Sequence, residues 1–464
     1  MTVRRVETRR AYRDSVALMQ LSARLQALPG VSAALVAMAT DVNVELAVGM
    51  GFPAPAQPRP DDMLIAVAAA NQSTVDEAFS FVDGELAAPA PKQAAGTGDV
   101  PPRTLGSAVR RAGAQVALVS TPGRYAFLDA MDALDAGASV MIFSDNVPVA
   151  DEVVLKERAA AAGLLVMGPD CGTAILGGVG LGFANVVQPG PVGIAAASGT
   201  GAQHVMSLLD AAGVGISHCL GLGGRDLSAP VAGRSTVAAL DLLDADPATE
   251  LILVVSKPPA PEVAEKVQSY AARLATPVHF ALLGPDQPDL TEAVAGVLAQ
   301  LGRAVPAPWP VWRPTAPVPP RRGRLVGLFC GGTLRDEAAV IVGTAPADLV
   351  DLGADEFTRG RPHPMIDNSS RLDRIAAAAR DPDCGVVLLD VVLGHAADPD
   401  PAGSLVPALR NLADAGVPTV VSLTGTAGDP QDRDRQAEAL RAAGAAVFLS
   451  NAEAARYAVE LAHG

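Results

Sequence analysis

Apolar and polar positions alternate along the chain with two periods, and the exchange between them sets out the elements. Val16, Leu18, Leu21, Leu25 and Leu28 recur at helical spacing within residues 11–28. VSAALVAMA then reads as a strand, a second helix starts near Asn43, MLIAVAAA (63–70) reads as a strand and Ser73 to Leu86 as a helix. These form a small α/β module over residues 1–95. Proline and glycine crowd AAPAPKQAAGTGDVPP (87–102), the composition of a mobile linker.

The strand–helix rhythm restarts at Arg103. SAVRRAG, YAFLDAMDALDAG and DEVVLKERAAAAG read as helices between the strands AQVALVST, SVMIFSD and LLVMGPD. A further unit begins at PVGIAAASGTG and runs through ISHCLGLGGRDL, LILVVSKPPAPEVAEKV and PVHFALLGP. Then comes RAVPAPWPVWRPTAPVPPRRG (303–323), proline-dense and predicted to be a stiff, extended linker. The last unit opens with RLVGLFCGGTLRDEAAVIV and continues through the strands GVVLLDVVLG, TVVSLTG and AVFLS. Strands alternating with helices of this length predict an α/β chain of doubly wound parallel sheets.

Composition narrows the picture. The chain has 464 residues, 49% hydrophobic and 18% charged, enough for roughly three domains with fully buried strands. The formal net charge is −15 and aromatics are only 3%, which argues against nucleic acid and against an anionic membrane surface. No uninterrupted apolar run has the length of a membrane span, and no apolar core follows the basic start MTVRRVETRRAYRDS, so a cytoplasmic protein without a secretory leader is expected. Cys171, Cys219, Cys330 and Cys384 show no C-x-x-C spacing, so no metal site is expected and buried, reduced thiols are.

The candidate chemistry lies where strands meet helices. Ser198-Gly199-Thr200-Gly201 follows a strand and must open a helix, and Gly331-Gly332-Thr333 after Cys330 has the same shape. Free N–H groups and the helix dipole make such starts anion sites, and small residues let an oxyanion reach the backbone. The plain alternative is an N-cap with tight helix–sheet packing. Gly223-Gly224-Arg225-Asp226 is a loop at a strand end, a candidate substrate loop in which Arg225 either forks onto an anion or forms an ordinary ion pair. Lys257 also ends a strand, placed to neutralise a phosphate or to cap the sheet edge. His363 sits between two prolines in GRPHPMID with Arg361 and Asp367 nearby, displayed either as an acid or oxyanion donor or as a turn residue.

GPDCGT, GFANVVQPGPVGIAAASGTG and GISHCLGLGGRDLS resemble the α-subunit of succinyl-CoA synthetase. SDNVPVADEVVLKERAAAAGLLVMGPDCGT, GLGGRDL, DEFTRGRPHPMID and LLDVVLGHAADPDP, in that order, resemble the FdrA family. The resemblance implies a Rossmann-like, CoA-binding-like domain over 103–188, an α-type ligase domain over 189–302, the linker 303–323, and, over 324–464, a ligase domain like the C-terminal one of the synthetase β-subunit. It also implies two flavodoxin-like ligase domains whose helix starts face one shared phosphate. Three synthetase parts are not recognised: the Gly-His-Ala-Gly phosphohistidine loop after PVHFALLGP, the Gly-rich CoA turn (here Met38-Ala39-Thr40-Asp41), and an ATP-grasp module. No cofactor is therefore assigned, with CoA left open. FdrA members are linked to oxamate carbamoyl transfer in allantoin nitrogen breakdown. The resemblance thus implies a carbamoyltransferase converting oxalurate and phosphate to oxamate and carbamoyl phosphate, with His363, Lys257 and Arg225 as catalytic candidates. It also implies partner subunits, is compatible with a homo-oligomer, and carries the alternatives of an acyl-CoA synthetase working with an ATP-grasp partner or a scaffold subunit.

Overall fold

In the computed structural model, residues 2–13, 15–87, 102–358 and 362–463 are described. The composition-based linker at 87–102 lies almost wholly outside them, as does Arg361.

Two compact units emerge. One comprises Met1–Pro101 together with Glu356–Asp367, and the other Pro102–Asp355 with Asn368–Gly464. In the first, β1 (Val3–Arg9), α1 (Ser15–Gln26), β2 (Val31–Met38), α2 (Asp41–Gly49), β3 (Met63–Ala69) and α3 (Gln72–Ala87) follow in order. The sheet is antiparallel with the order β1-β3-β2. Its centre, β3, is buried along its whole length. One core gathers Leu18, Leu21 and Leu25 with Val75, Phe79 and Val82 on Ile65 and Val67, and a second sets Ala47 and Phe52 on Leu64 and Ala66. Strand β1, VRRVETR, is not legible by pattern, because its charges hide the alternation. Arg5 and Arg9 instead join Glu7, Asp76 and Asp83 in ion pairs across β1 and α3.

The second unit opens with α4 (Leu105–Ala112), β4 (Val116–Val119), α5 (Gly123–Asp135), β5 (Ser139–Ile142), α6 (Val149–Ala161) and β6 (Val166–Met167), a parallel three-stranded sheet. The next sheet has six strands. It starts with the hairpin β7 (Thr173–Leu176) and β8 (Val179–Gly182), followed by β9 (Pro189–Ala197), α7 (Gly199–Ala211), β10 (Ile216–Gly221), α8 (Arg234–Asp244), β11 (Leu251–Ser256), α9 (Pro261–Ala271), β12 (Val278–Leu282) and α10 (Leu290–Gln300). Its order is β12-β11-β9-β10-β7-β8, parallel except at the hairpin.

The last sheet is built from β13 (Val311–Trp312), β14 (Arg324–Phe329), α11 (Gly332–Val342), β15 (Ala347–Asp351), α12 (Asp355–Thr358), α13 (Ser369–Ala378), β16 (Cys384–Val392), α14 (Pro401–Asp414), β17 (Thr419–Thr424), α15 (Arg433–Ala442), β18 (Ala446–Phe448) and α16 (Asn451–His463). Its order is β13-β18-β17-β16-β14-β15. The segment predicted to be a linker supplies an edge strand, since β13 pairs antiparallel with β18 and Trp309 is buried. Edge positions tolerate proline because one row of N–H groups needs no partner there. Strands β9 and β16 are buried through most or all of their length, which explains their long apolar runs, broken in β16 only by Asp390.

Candidate functional site

Strand β9 delivers Ser198 to the start of α7, and β14 delivers Cys330 and Gly331 to the start of α11. The two starts meet. The Ser198 and Thr333 hydroxyl oxygens lie 2.5 Å apart. A Cβ on Gly331 would stand 2.7 Å from Thr200 Oγ1, and one on Gly201 would stand 3.0 Å from Thr333 Cγ2. The glycines are therefore needed for helix-to-helix approach. Ser198 also caps α7, its Oγ accepting from the Gly201 N–H at 2.9 Å.

The small-residue motifs divide in two. Ser198, Gly201, Gly331 and Thr333 are buried in the seam. Gly199, Thr200 and Gly332 remain partly exposed at its rim. They supply the first amides of the two helices, groups that no residue four positions earlier can satisfy. No side chain caps α11.

Lys257, just past β11, reaches this rim. Its Nζ lies 2.7 Å from where a Cβ of Gly332 would stand, and Asp351 Oδ2, from the end of β15, lies 2.5 Å from the same point. Burial pushes the Asp351 carboxyl above its ordinary range against the pull of Lys257 and of the Gly353 N–H. Below the rim, Asp390 of β16 is fully buried and accepts the Cys330 and Gly331 N–H groups at 2.8 Å each. Arg371 of α13, also buried, lies 3.6 Å from Asp390 Oδ1 and donates to the Asp390 carbonyl. Burial raises the Asp390 carboxyl despite these partners. Asp390, Asp351 and Arg371 escape a local reading because each comes from a different element. The one visible signal is the aspartate inside the apolar run GVVLLDVVLG.

The two halves built on the six-stranded sheets share further buried polar contacts. His204 Nδ1 pairs with Thr424 Oγ1 at 3.0 Å, and its Nε2 accepts from the Asn451 N–H at 3.3 Å. Burial lowers this imidazole to about 4. Asn185 donates to Asp429 at 2.7 Å, and both Asn185 and Gln203 donate to the Leu393 carbonyl.

Other predicted residues go elsewhere. Arg225 pairs with Glu152 at 2.9 Å and donates to the Val147 carbonyl. Asp226 is fully buried; it accepts from Lys156 at 2.8 Å and from the Ser235 and Thr236 N–H groups, fastening the start of α8. Gly223, at φ +84°, has its Cβ direction filled by the Pro169 carbonyl, while Gly224 faces open space. His363 belongs to Glu356–Asp367, in the unit that does not contain the helix seam. Its carbonyl accepts from the Ile366 and Asp367 N–H groups and its Nδ1 from the Met365 N–H, which closes a turn.

The start of α10, where the resemblance would place a phosphohistidine loop, is self-capped. Asp289 and Glu292 form a capping box, and the Leu290 N–H donates to Glu337 Oε1 at 2.7 Å. The loop Leu283–Asp289 contains no histidine. His279, on β12, packs against Gly296 of α10, where an added Cβ would meet its ring at 2.6 Å. The thiols are buried, and burial pushes Cys171 up to about 12 and Cys330 well above the ordinary thiol value, as befits inert cysteines.

The uncharacterized protein YahF of Escherichia coli (strain K12) is 35% identical over 88% of this chain and 88% of its own length. The chain belongs to the FdrA family. Residues 328–461 match the CoA-ligase family, and residues 1–102 match "AllF, heavy metal-associated domain". Among more distant relatives, the α-subunit 2 of the ADP-forming succinate–CoA ligase of Archaeoglobus fulgidus is 31% identical over 32% of this chain and 52% of its own length. The corresponding α-subunit of Methanothermobacter thermautotrophicus is 28% identical over 37% and 58%. This FdrA-family chain thus spans little more than half the length of these two ligase subunits. Residues 328–461 are CoA-ligase-like, and the relatives matched over part of the chain are enzyme subunits. Among its described residues, no helix is long and apolar enough to cross a membrane.

Proposed function

We propose that this FdrA-family chain handles an acyl phosphate at the rim between α7 and α11. The carrying observation is the apposition of two helix starts with the Lys257 ammonium beside Gly332. The amides of Gly199, Thr200 and Gly332 and the charge of Lys257 would hold the phosphoryl oxygens, stabilising phosphate as it leaves or attacks.

The finer reading is carbamoyl transfer. In oxalurate phosphorolysis an oxygen of hydrogen phosphate attacks the carbamoyl carbon, the bond to the oxamate nitrogen breaks, and that nitrogen takes the proton the phosphate gives up. No phosphohistidine is required. A self-capped α10 without a histidine in its preceding loop supports this choice, as does the family resemblance. Binding phosphate on the chain itself would lower the entropy cost of the transfer.

A second reading is an ADP-forming acyl-CoA ligase component acting with an ATP-grasp partner. The CoA-ligase match and the succinate–CoA ligase relatives favour it more directly than they favour carbamoyl transfer. One experiment separates the two. The chain, alone and with co-encoded partners, is given carbamoyl phosphate and oxamate, and oxalurate is measured; in parallel it is given ATP, CoA and a carboxylic acid, and thioester is measured. Oxalurate formed without ATP or CoA, and reduced at least tenfold by Lys257→Met, supports carbamoyl transfer. Thioester formation with an acid-labile phosphohistidine supports the ligase. Absence of phosphate binding by ³¹P NMR removes both.

A further inference from the structure

The family matched by residues 1–102 bears a heavy-metal description, and this segment's donor set does not fit one. Thiophilic and borderline metals are held by thiolate, thioether or imidazole ligands. Residues 1–102 contain neither cysteine nor histidine; the four cysteines begin at Cys171 and the six histidines at His204. Three of the segment's methionines, Met38, Met50 and Met63, pack into its two cores. The connection from β1 to α1 carries Arg10 and Arg13, whose charge repels a cation, and Arg13 is tied to the carbonyls of Tyr12 and Leu86. Among the described residues, no cluster of His, Cys, Asp and Glu could hold a metal.

The unit has another physical commitment. The segment Glu356–Asp367 lies between β15 and α13 in the chain and groups with Met1–Pro101. Within it Met365 and Ile366 are 5% and 8% exposed, and the turn from His363 to Asp367 is closed by backbone hydrogen bonds. So short an excursion cannot bury two large apolar side chains by itself.

We propose that the module built from β1 to α3 is metal-free and holds residues 362–367, and with them His363, in place. The module is a positioning device and carries no metal.

Hydrogen exchange on the full chain tests this. With one equivalent of Cu(I) or Zn²⁺, exchange across residues 2–87 is expected to stay unchanged; stoichiometric metal binding that slows exchange there overturns the metal-free part. Phe79→Ala, which hollows the module's core, is expected to speed exchange over residues 362–367 at least tenfold while the starts of α7 and α11 keep theirs. Unchanged exchange over 362–367 in a variant whose β3 has opened overturns the holding role. If Phe79→Ala does not fold, the wild-type chain in sub-denaturing urea gives the same answer. Residues 362–367 must then open together with β3; opening with β16 instead overturns the proposal.

Discussion

Gly331 and Gly199 look alike in the sequence and do different work. A methyl on Gly331 would meet Thr200 at 2.7–2.9 Å on three atoms, whereas one on Gly199 would meet only Thr173, its Oγ1 at 3.3 Å. Gly331→Ala is therefore expected to destabilise by about 1–3 kcal/mol through overpacking, and Gly199→Ala to change stability by less than about 1 kcal/mol. Urea unfolding of the two variants checks the contrast; equal costs would mean the seam yields more easily than its distances imply. Both motifs are legible as helix starts because small residues after an apolar strand are a local signal. Their division into seam and rim is not, since it depends on which residue of the other half faces each glycine. The same holds for Asp351 and Asp390, which reach the seam from other strand ends.

At the scale of elements, the loop after β10 shows how a local reading misassigns charge. Lys156 on α6 is fully buried with Glu152 and Asp226 at 2.8 Å each and also donates to the Leu222 carbonyl at 2.9 Å. This lysine ties α6 to the loop that fastens α8. Lys156→Met strands two buried carboxylates, and loss of one partner from such a group costs about 3–5 kcal/mol. Thermal unfolding should show this loss. A parent-like melting temperature would mean that Arg225, at 2.9 Å from Glu152, compensates alone. The βα alternation and most buried strands were legible because their apolar runs are long. Helix α8 was not, because it follows a stretch rich in Ser, Pro and Gly, and neither was β13, whose pairing with β18 is supplied by a strand more than 130 residues later.

Across the whole second unit, Glu337 reports on how firmly α10, α11 and α16 are joined. Its carboxylate accepts from the Leu290 N–H and the Asn451 side-chain amide at 2.7 Å each, and burial raises it to about 7 from 4.5. Because the folded value lies above the unfolded one, its contribution is full below about pH 4.5 and is lost as pH rises through about 7. The loss is on the order of 3 kcal/mol at alkaline pH. Glu337→Gln should flatten the fall in urea midpoint between pH 5 and pH 8; an unaltered slope would place the titration elsewhere.

The hydroxyl contact of Ser198 with Thr333 spans 135 positions of one chain. In an assembly of separate subunits, the corresponding halves would part on dilution according to their dissociation constant. Covalent continuity replaces that equilibrium with a fixed effective concentration. The rim between α7 and α11 therefore stays assembled however scarce the protein becomes, and every synthesised chain carries both halves in equal number.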